Sequence, residues 1–341
     1  MKMQPVLART MKAALAAAVL AAAMFALAGC SAADDTEVAT GSPGAQAPAA
    51  APLVIGTLAT QDALPLWVAE EQGHFTEAGL ADVEIVTFQS AQECQAAFTA
   101  GSVDALMTDI IVAAKLQASG TPVYIPTVML GASTAEGRFA IVAAPGSGVT
   151  SLQDLAGTPV GTAAGTITEY VLDKLMAEAG VNAADVVKEE VPKMPVRFQL
   201  MMSGQLKAAS LPEPFVSLAE QQGATIVAGG DDTAASENIS QSVLVVSREY
   251  IEAEGGAAAL DALLKAWDAA VADLSATPDD FRTTLVAKAG LPEALADTYE
   301  VSSYPMAEPP TAEQVQSVLD WMAERGYLTA EVTPADLLGA E

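Results

Sequence analysis

From Leu53 onward, short apolar runs that read as strands alternate with helix-length segments. This alternation restricts the chain to an α/β architecture with mainly parallel sheets covered by helices. Strands are predicted at Leu53 to Leu58, Val83 to Phe88, Val103 to Met107 and Val123 to Leu130. A second set follows at Phe139 to Ala143, Thr158 to Thr162, Val186 to Val191, Leu206 to Leu211 and Thr225 to Ala228, and one more strand at Val243 to Val246. Gly73 stops the first helix, Ser90 to Glu93 reads as a capping box opening the next, and beyond Val246 the chain reads as helices only.

One internal similarity divides the alternation into two related halves. Ala97 through Asp109 and Met201 through Glu213 share a plan of helix end, glycine, short strand and acidic residue. Each half therefore places a carboxylate just past the carboxyl end of a strand, where open α/β sheets bind ligands. Asp109 and Glu213 would face a shared crevice as binding groups, or serve as helix caps. At the strand-to-helix turns, Thr60, Gln61 and Asp62 stand in the first half, and Gly165, Thr166 and Thr168 in the second. The latter turn offers backbone N–H groups and a helix N-terminus to an anion, with the alternative that a threonine caps its own helix. Trp67 lies behind the first turn, as core or as a cleft-rim ring.

The N-terminus argues for export. Lys2, Arg9 and Lys12 precede an uncharged apolar run from Ala13 to Ala28, the plan of a secretory signal over 1–29. Leu27-Ala28-Gly29-Cys30 resembles a bacterial lipobox, which implies cleavage before Cys30 and a diacylglycerol on its thiol. Residues 30–52 are small, polar and Pro-rich, a tether that lets the folded part stand off the membrane. Loss of the three basic residues with the signal takes the net charge from −28 to −31, which argues against nucleic acid as a partner. Cys94 is the only other cysteine, so no disulfide is expected and it reads as a small buried helix residue.

Catalytic constellations are largely missing. His74 is the single histidine, so a His-based triad has one possible member, which reads as a packing or surface residue beside Phe75, and no zinc site of His and Cys can form. No phosphate-binding glycine loop appears, and neither a cofactor nor a metal is expected.

Pro65 to Phe75 followed by Glu77 to Leu80, then Gly101 to Ala105, Leu152 to Gly157 and Gly204 to Pro214, resemble the nitrate/sulfonate/taurine and thiamine-precursor class of ABC transporter substrate-binding proteins. The resemblance runs over most of 53–250. It implies a type II periplasmic-binding-protein fold, with lobe one from 53–133 plus 238–341 and lobe two from 134–237. It implies ligand contacts at Thr60, Gln61, Asp62, Thr108, Asp109, Gly165, Thr166, Thr168, Glu213 and Pro214, with Trp67 near the rim. The partners it implies are a small solute (a sulfonate, nitrate or a pyrimidine-like ring), a permease and its ATPase, with the protein a monomer anchored to the membrane through Cys30. His74 stands where tyrosine is more frequent in that class, Lys207 where aspartate is, and the cysteine-rich iron motif of pyrimidine-forming relatives is absent. Two other readings remain open: a lyase on the same scaffold with Asp109 or Glu213 as base, and a surface lipoprotein without a transport role.

Overall fold

The computed structural model describes residues 49–131, 136–229 and 242–339. The signal, Cys30 and nearly all of the tether lie outside the described residues. Among the described residues, ten strands fall into two five-stranded sheets within one compact unit spanning Ala47–Glu341.

The first sheet holds β1 (Leu53–Leu58), β2 (Val83–Phe88), β3 (Ala105–Asp109), β4 (Val123–Leu130) and β10 (Ser242–Ser247), in the order β2-β1-β3-β10-β4. The second holds β5 (Phe139–Ala143), β6 (Pro159–Thr162), β7 (Val187–Glu190), β8 (Ala208–Pro212) and β9 (Thr225–Ala228), in the order β7-β6-β8-β5-β9. Each sheet has four strands running one way and one running against them: β10 is antiparallel to β3 and β4, and β5 to β8 and β9. The sheets thus repeat one topology, and the two segments that share a sequence plan end in β3 and β8, which occupy the same slot. The mixed strand direction comes from the chain leaving one sheet and returning to it, which alternation in the sequence does not reveal.

Helices around the first sheet are α1 (Leu64–Gln72), α2 (His74–Glu77), α3 (Ala91–Thr99) and α4 (Ile110–Ala118). Those of the second are α5 (Ile167–Glu178), α6 (Met194–Met202) and α7 (Phe215–Gln221). The C-terminal part comprises α8 (Arg248–Glu252), α9 (Gly256–Ala276), α10 (Arg282–Ala289), α11 (Ala312–Arg325) and α12 (Pro334–Leu338). Local signals place these ends: Gly73 closes α1 at φ 83° and Thr311 with Gln314 forms a capping box on α11. Ser90 caps α3 through the Glu93 N–H, but Glu93 turns back to the Gln89 N–H instead, so the predicted box is only half formed.

Strands β1, β3 and β8 are almost wholly buried, as sheets covered on both faces require. Cys94 is buried behind Gly56, and burial pushes its thiol up to about 12, which keeps it an inert core group. His74 pins α2 to α9 through Asp273, with Nε2 and Oδ2 at 2.7 Å.

Helix α11 ties the two sheets together. It packs against α4 of the first and reaches α5 of the second, where Asp173 accepts from Trp321 Nε1 at 3.1 Å and pairs with Arg325 at 2.7 Å. Tyr327, just beyond α11, donates to Glu169 at 2.7 Å. No helix among the described residues is long and apolar enough to cross a membrane.

Candidate functional site: the cleft between the sheets

A cavity open to solvent at its mouth lies between the carboxyl ends of the parallel strands of both sheets. The turn after β1 contributes Thr60 and Asp62, the end of β3 gives Thr108 and Asp109, and the turn after β6 gives Ala163, Thr166, Ile167 and Thr168. Because β5 and β10 run backwards, each presents its first residue to the same space: Phe139 and Ser242. Arg197 of α6 completes the polar lining.

Asp109 links the sheets. Its Oδ1 accepts from Val112 N at 2.8 Å as the cap of α4, and its Oδ2 accepts from Ile167 N at 2.9 Å at the start of α5. Burial pushes its carboxyl up against the pull of these N–H groups. Beside it, Lys115 Nζ donates to Gly165 O at 2.8 Å, and Gln61 N donates to Glu213 O at 3.5 Å, so three polar contacts cross the cleft at different points.

At the turn 163–167, expected to offer free amides, four N–H groups are already engaged, and that of Thr166 is not among them. Ala164 N donates to Glu190 Oε2 at 2.7 Å, Gly165 N to Glu169 Oε2 at 2.6 Å, Ile167 N to Asp109, and Ala163 N to Thr168 Oγ1 at 3.3 Å. Thr166 Oγ1 donates to Ala163 O at 2.9 Å and lies 3.1 Å from Thr168 Oγ1. Burial works against the charge on Glu169, yet the Gly165 amide, Lys188 and Tyr327 hold it below the ordinary carboxylate range.

Glu213 takes the capping role. Arg138 binds its carboxylate at 2.7 Å, and Ser217 donates to it through N and Oγ, both at 3.1 Å. Neither Glu213 nor Pro214 lines the cavity, nor do Gln61, Gly165 and Trp67. Gln61 is held by Tyr304, which donates to its carbonyl at 2.9 Å, and by Tyr299, which donates to its Oε1. Trp67 is core, 1% exposed, on α1 where that helix meets α9. Six of the eleven sequence-derived binding residues therefore share the cavity: Thr60, Asp62, Thr108, Asp109, Thr166 and Thr168.

Arg197 was missed by sequence reasoning. It sits inside the apolar run Met194-Pro195-Val196-Arg197-Phe198, where a lone arginine reads as a surface residue, but it is 1% exposed. Nε donates to Val191 O at 2.8 Å and Nη1 to Ser210 O at 2.9 Å, while Nη2 has no partner among the described residues. Burial lowers its pKa to about 10, so it remains a cation at neutral pH. Across the cavity, Asp62 Oδ1 accepts from Thr60 Oγ1 at 2.5 Å, and among the described residues no cation of the protein pairs with it. Burial pushes the Asp62 carboxyl up.

A raised folded-state value means that the native protein holds the Asp62 proton more tightly than the unfolded chain, so this group lowers stability as pH rises above the ordinary carboxylate range. Asp62→Asn keeps the acceptor facing Thr60 and removes that cost. The variant is expected to melt higher than the parent at pH 7, with the difference shrinking as pH falls toward 4; thermal unfolding across that range tests it, and equal melting at pH 7 contradicts it.

The NMT1/THI5 like family model matches residues 60–279. Among solved structures, the alkanesulfonate-binding protein SsuA of Xanthomonas axonopodis pv. citri, bound to MOPS, is 21% identical with a TM-score of 0.72, covering 85% of this chain and 98% of that one. The periplasmic aliphatic sulphonate binding protein SsuA of Escherichia coli is 20% identical, TM-score 0.70, covering 86% and 93%. The periplasmic nitrate-binding protein NrtA of Synechocystis is 17% identical, TM-score 0.66, covering 84% of each chain. No curated protein matches the chain. These likenesses carry the fold, two lobes around a cleft as in periplasmic binding proteins, and the match over most of both sheets gives the family: the chain belongs to the NMT1/THI5-like family.

Proposed function

We propose that the protein is the solute-binding component of an ABC importer, held outside the cytoplasmic membrane through a lipid on Cys30. It takes a small solute, anionic or heterocyclic, into the cleft between its sheets and presents the closed form to a permease and its ATPase as a monomer. The observation that carries this reading is the cavity itself, lined from both sheets at the carboxyl ends of their strands and bridged by Asp109. Ligand that touches both walls binds the closed form better than the open one, and that difference is what shifts the equilibrium.

A binding role also suits the carboxylates that a lyase would use as base. Asp109 spends both oxygens on backbone N–H groups, and Glu213 is neutralised by Arg138 and bound by Ser217.

Melting temperature measured against sulfonates, carboxylates, pyrimidines and small inorganic anions tests the reading. A solute at a hundred times its Kd adds about 2.7 kcal/mol, or about 5 °C for a chain of this size. If no class moves the midpoint and deletion of the gene leaves solute uptake unchanged, the reading fails.

A further inference from the structure

Helix α11 rides on the first sheet's side. It packs against α4 and α12, and α12 in turn packs against β4 and α4. Toward the second sheet it sends side chains, which converge on two buried carboxylates of α5, Glu169 and Asp173, 4% and 3% exposed and one helical turn apart. Their own side of the molecule brings Lys188 of β7 to both, at 2.7 Å from Glu169 Oε1 and from Asp173 Oδ1. The other two oxygens draw on the C-terminal segment: Trp321 Nε1 and Arg325 reach Asp173 Oδ2, and the Tyr327 hydroxyl donates to Glu169 Oε2. Tyr170 of α5 stands edge-on to Trp321 with ring centroids 5.2 Å apart, and its hydroxyl lies 3.4 Å from Ser317 Oγ of α11.

This seam is one-sided in its chemistry. Lys115, Trp321, Arg325 and Tyr327 bring donors from the first sheet's side, and Gly165 O, Glu169 and Asp173 accept on the second. Parting the seam would leave two buried carboxylates with one lysine between them, so the contacts favour the closed arrangement. None of these side chains lines the cavity, so the preference does not depend on what the cavity holds. The seam nevertheless reaches the cavity wall. Gly165 N is held by Glu169 Oε2 at 2.6 Å and Gly165 O by Lys115 Nζ at 2.8 Å, and Tyr327 touches both holders: it donates to Glu169, and Lys115 Nζ lies 4.8 Å from its ring centroid.

We propose that α11 and Tyr327 form a clasp that closes the two lobes independently of the solute. Trp321 and Arg325 grip Asp173, and Tyr327 is a positioning residue that seats the 163–168 turn through Glu169 and Lys115. The clasp sets how much of the protein is closed before a solute arrives, so affinity depends on residues that the solute never meets. This goes beyond the solute-binding reading and holds whichever solute the cleft takes.

The test uses the mature chain without added solute, carrying Cys30→Ser so that only introduced thiols take a spin label, Cys94 being buried. Labels at Thr99→Cys on α3 and Gln199→Cys on α6, both exposed, flank the cleft mouth, where Glu93 pairs with Lys193 at 2.8 Å. Arg325→Ala with Tyr327→Phe is expected to lengthen the mean label distance by several ångström, with parental circular dichroism and a cooperative melt. Trp67 and Trp267 are core at 1% exposure, which leaves Trp321 as the tryptophan that opening uncovers, so acrylamide quenching of tryptophan emission is expected to roughly double in the same variant. Should the paired variant fail to fold, Arg325→Ala alone, at a side chain one-third exposed, is expected to move both readouts in the same direction. An unchanged label distance in a folded variant overturns the proposal. Greater quenching at an unchanged distance also overturns it, since α11 would then fray without opening the cleft. Neither result bears on whether the cleft binds a solute, because the panel of melting temperatures above decides that separately.

Discussion

Arg138→Ala is expected to lower the unfolding free energy by about 3 kcal/mol, because it strands the carboxylate of Glu213, 4% exposed, without its cation. Arg138 grips Glu213 through two nitrogens and continues to Ser217 at 3.2 Å and Glu220 at 2.9 Å, so one side chain ties the start of β5 to the start of α7. The Ser217 N–H and hydroxyl stay with Glu213 in the variant, and Arg138 is itself about one-fifth exposed, which keeps the loss at the lower end for a buried pair. Urea unfolding measures it. The paired substitution Arg138→Met with Glu213→Gln removes the charge as well as its partner and is expected to recover at least half of the loss. If the single and paired variants are equally unstable, the cost lies in packing rather than in the unpaired charge.

Gly165→Val is expected to weaken solute binding at least tenfold, about 1.4 kcal/mol, with secondary structure intact. Gly165 has φ +61°, a conformation that costs a β-branched residue about 1–2 kcal/mol. A side chain there also runs into Lys115 Nζ, the group that crosses from α4 to the Gly165 carbonyl. Valine therefore strains the turn that lines the cleft and displaces a contact that spans it. Adding Lys115→Ala takes away the collision but not the strain, so the double variant is expected to bind better than Gly165→Val alone and worse than the parent. Binding of the single variant at parental affinity would show that closure does not bring Lys115 onto this turn.

The parts of the fold legible from sequence are those that local physics writes. The two stretches ending in Asp109 and Glu213 announce equivalent strands because helix end, glycine and buried strand each leave a residue signature. Gly73, Ser90 and Thr311 mark helix ends for the same reason. What reads poorly is decided by residues far apart in the chain. Phe139 and Ser242 reach the cavity only because β5 and β10 run against their neighbours, and no local pattern states a strand's direction. Arg197 reads as a surface residue until the carbonyls of Val191 and Ser210 receive it. The turn around Thr166 keeps its predicted place on the cleft, but the carboxylates that engage its amides come from β7, α5 and β3, and their arrival cannot be seen from the turn's own residues. Trp67 fell to the core because α9, some two hundred positions later, covers α1.

The strand order carries a consequence for how the polypeptide folds. The second sheet draws on one uninterrupted stretch, 139–228, whereas the first lacks the strand joining β3 to β4 until residue 247 has emerged. A thread delivered amino end first would thus finish its distal half while the proximal half still waits with a gap between two edges. The unbroken stretch is also the natural unit for transplantation: exchanging it between members of the family would carry Arg197 along and leave Asp62 behind, recombining the two walls of the cleft.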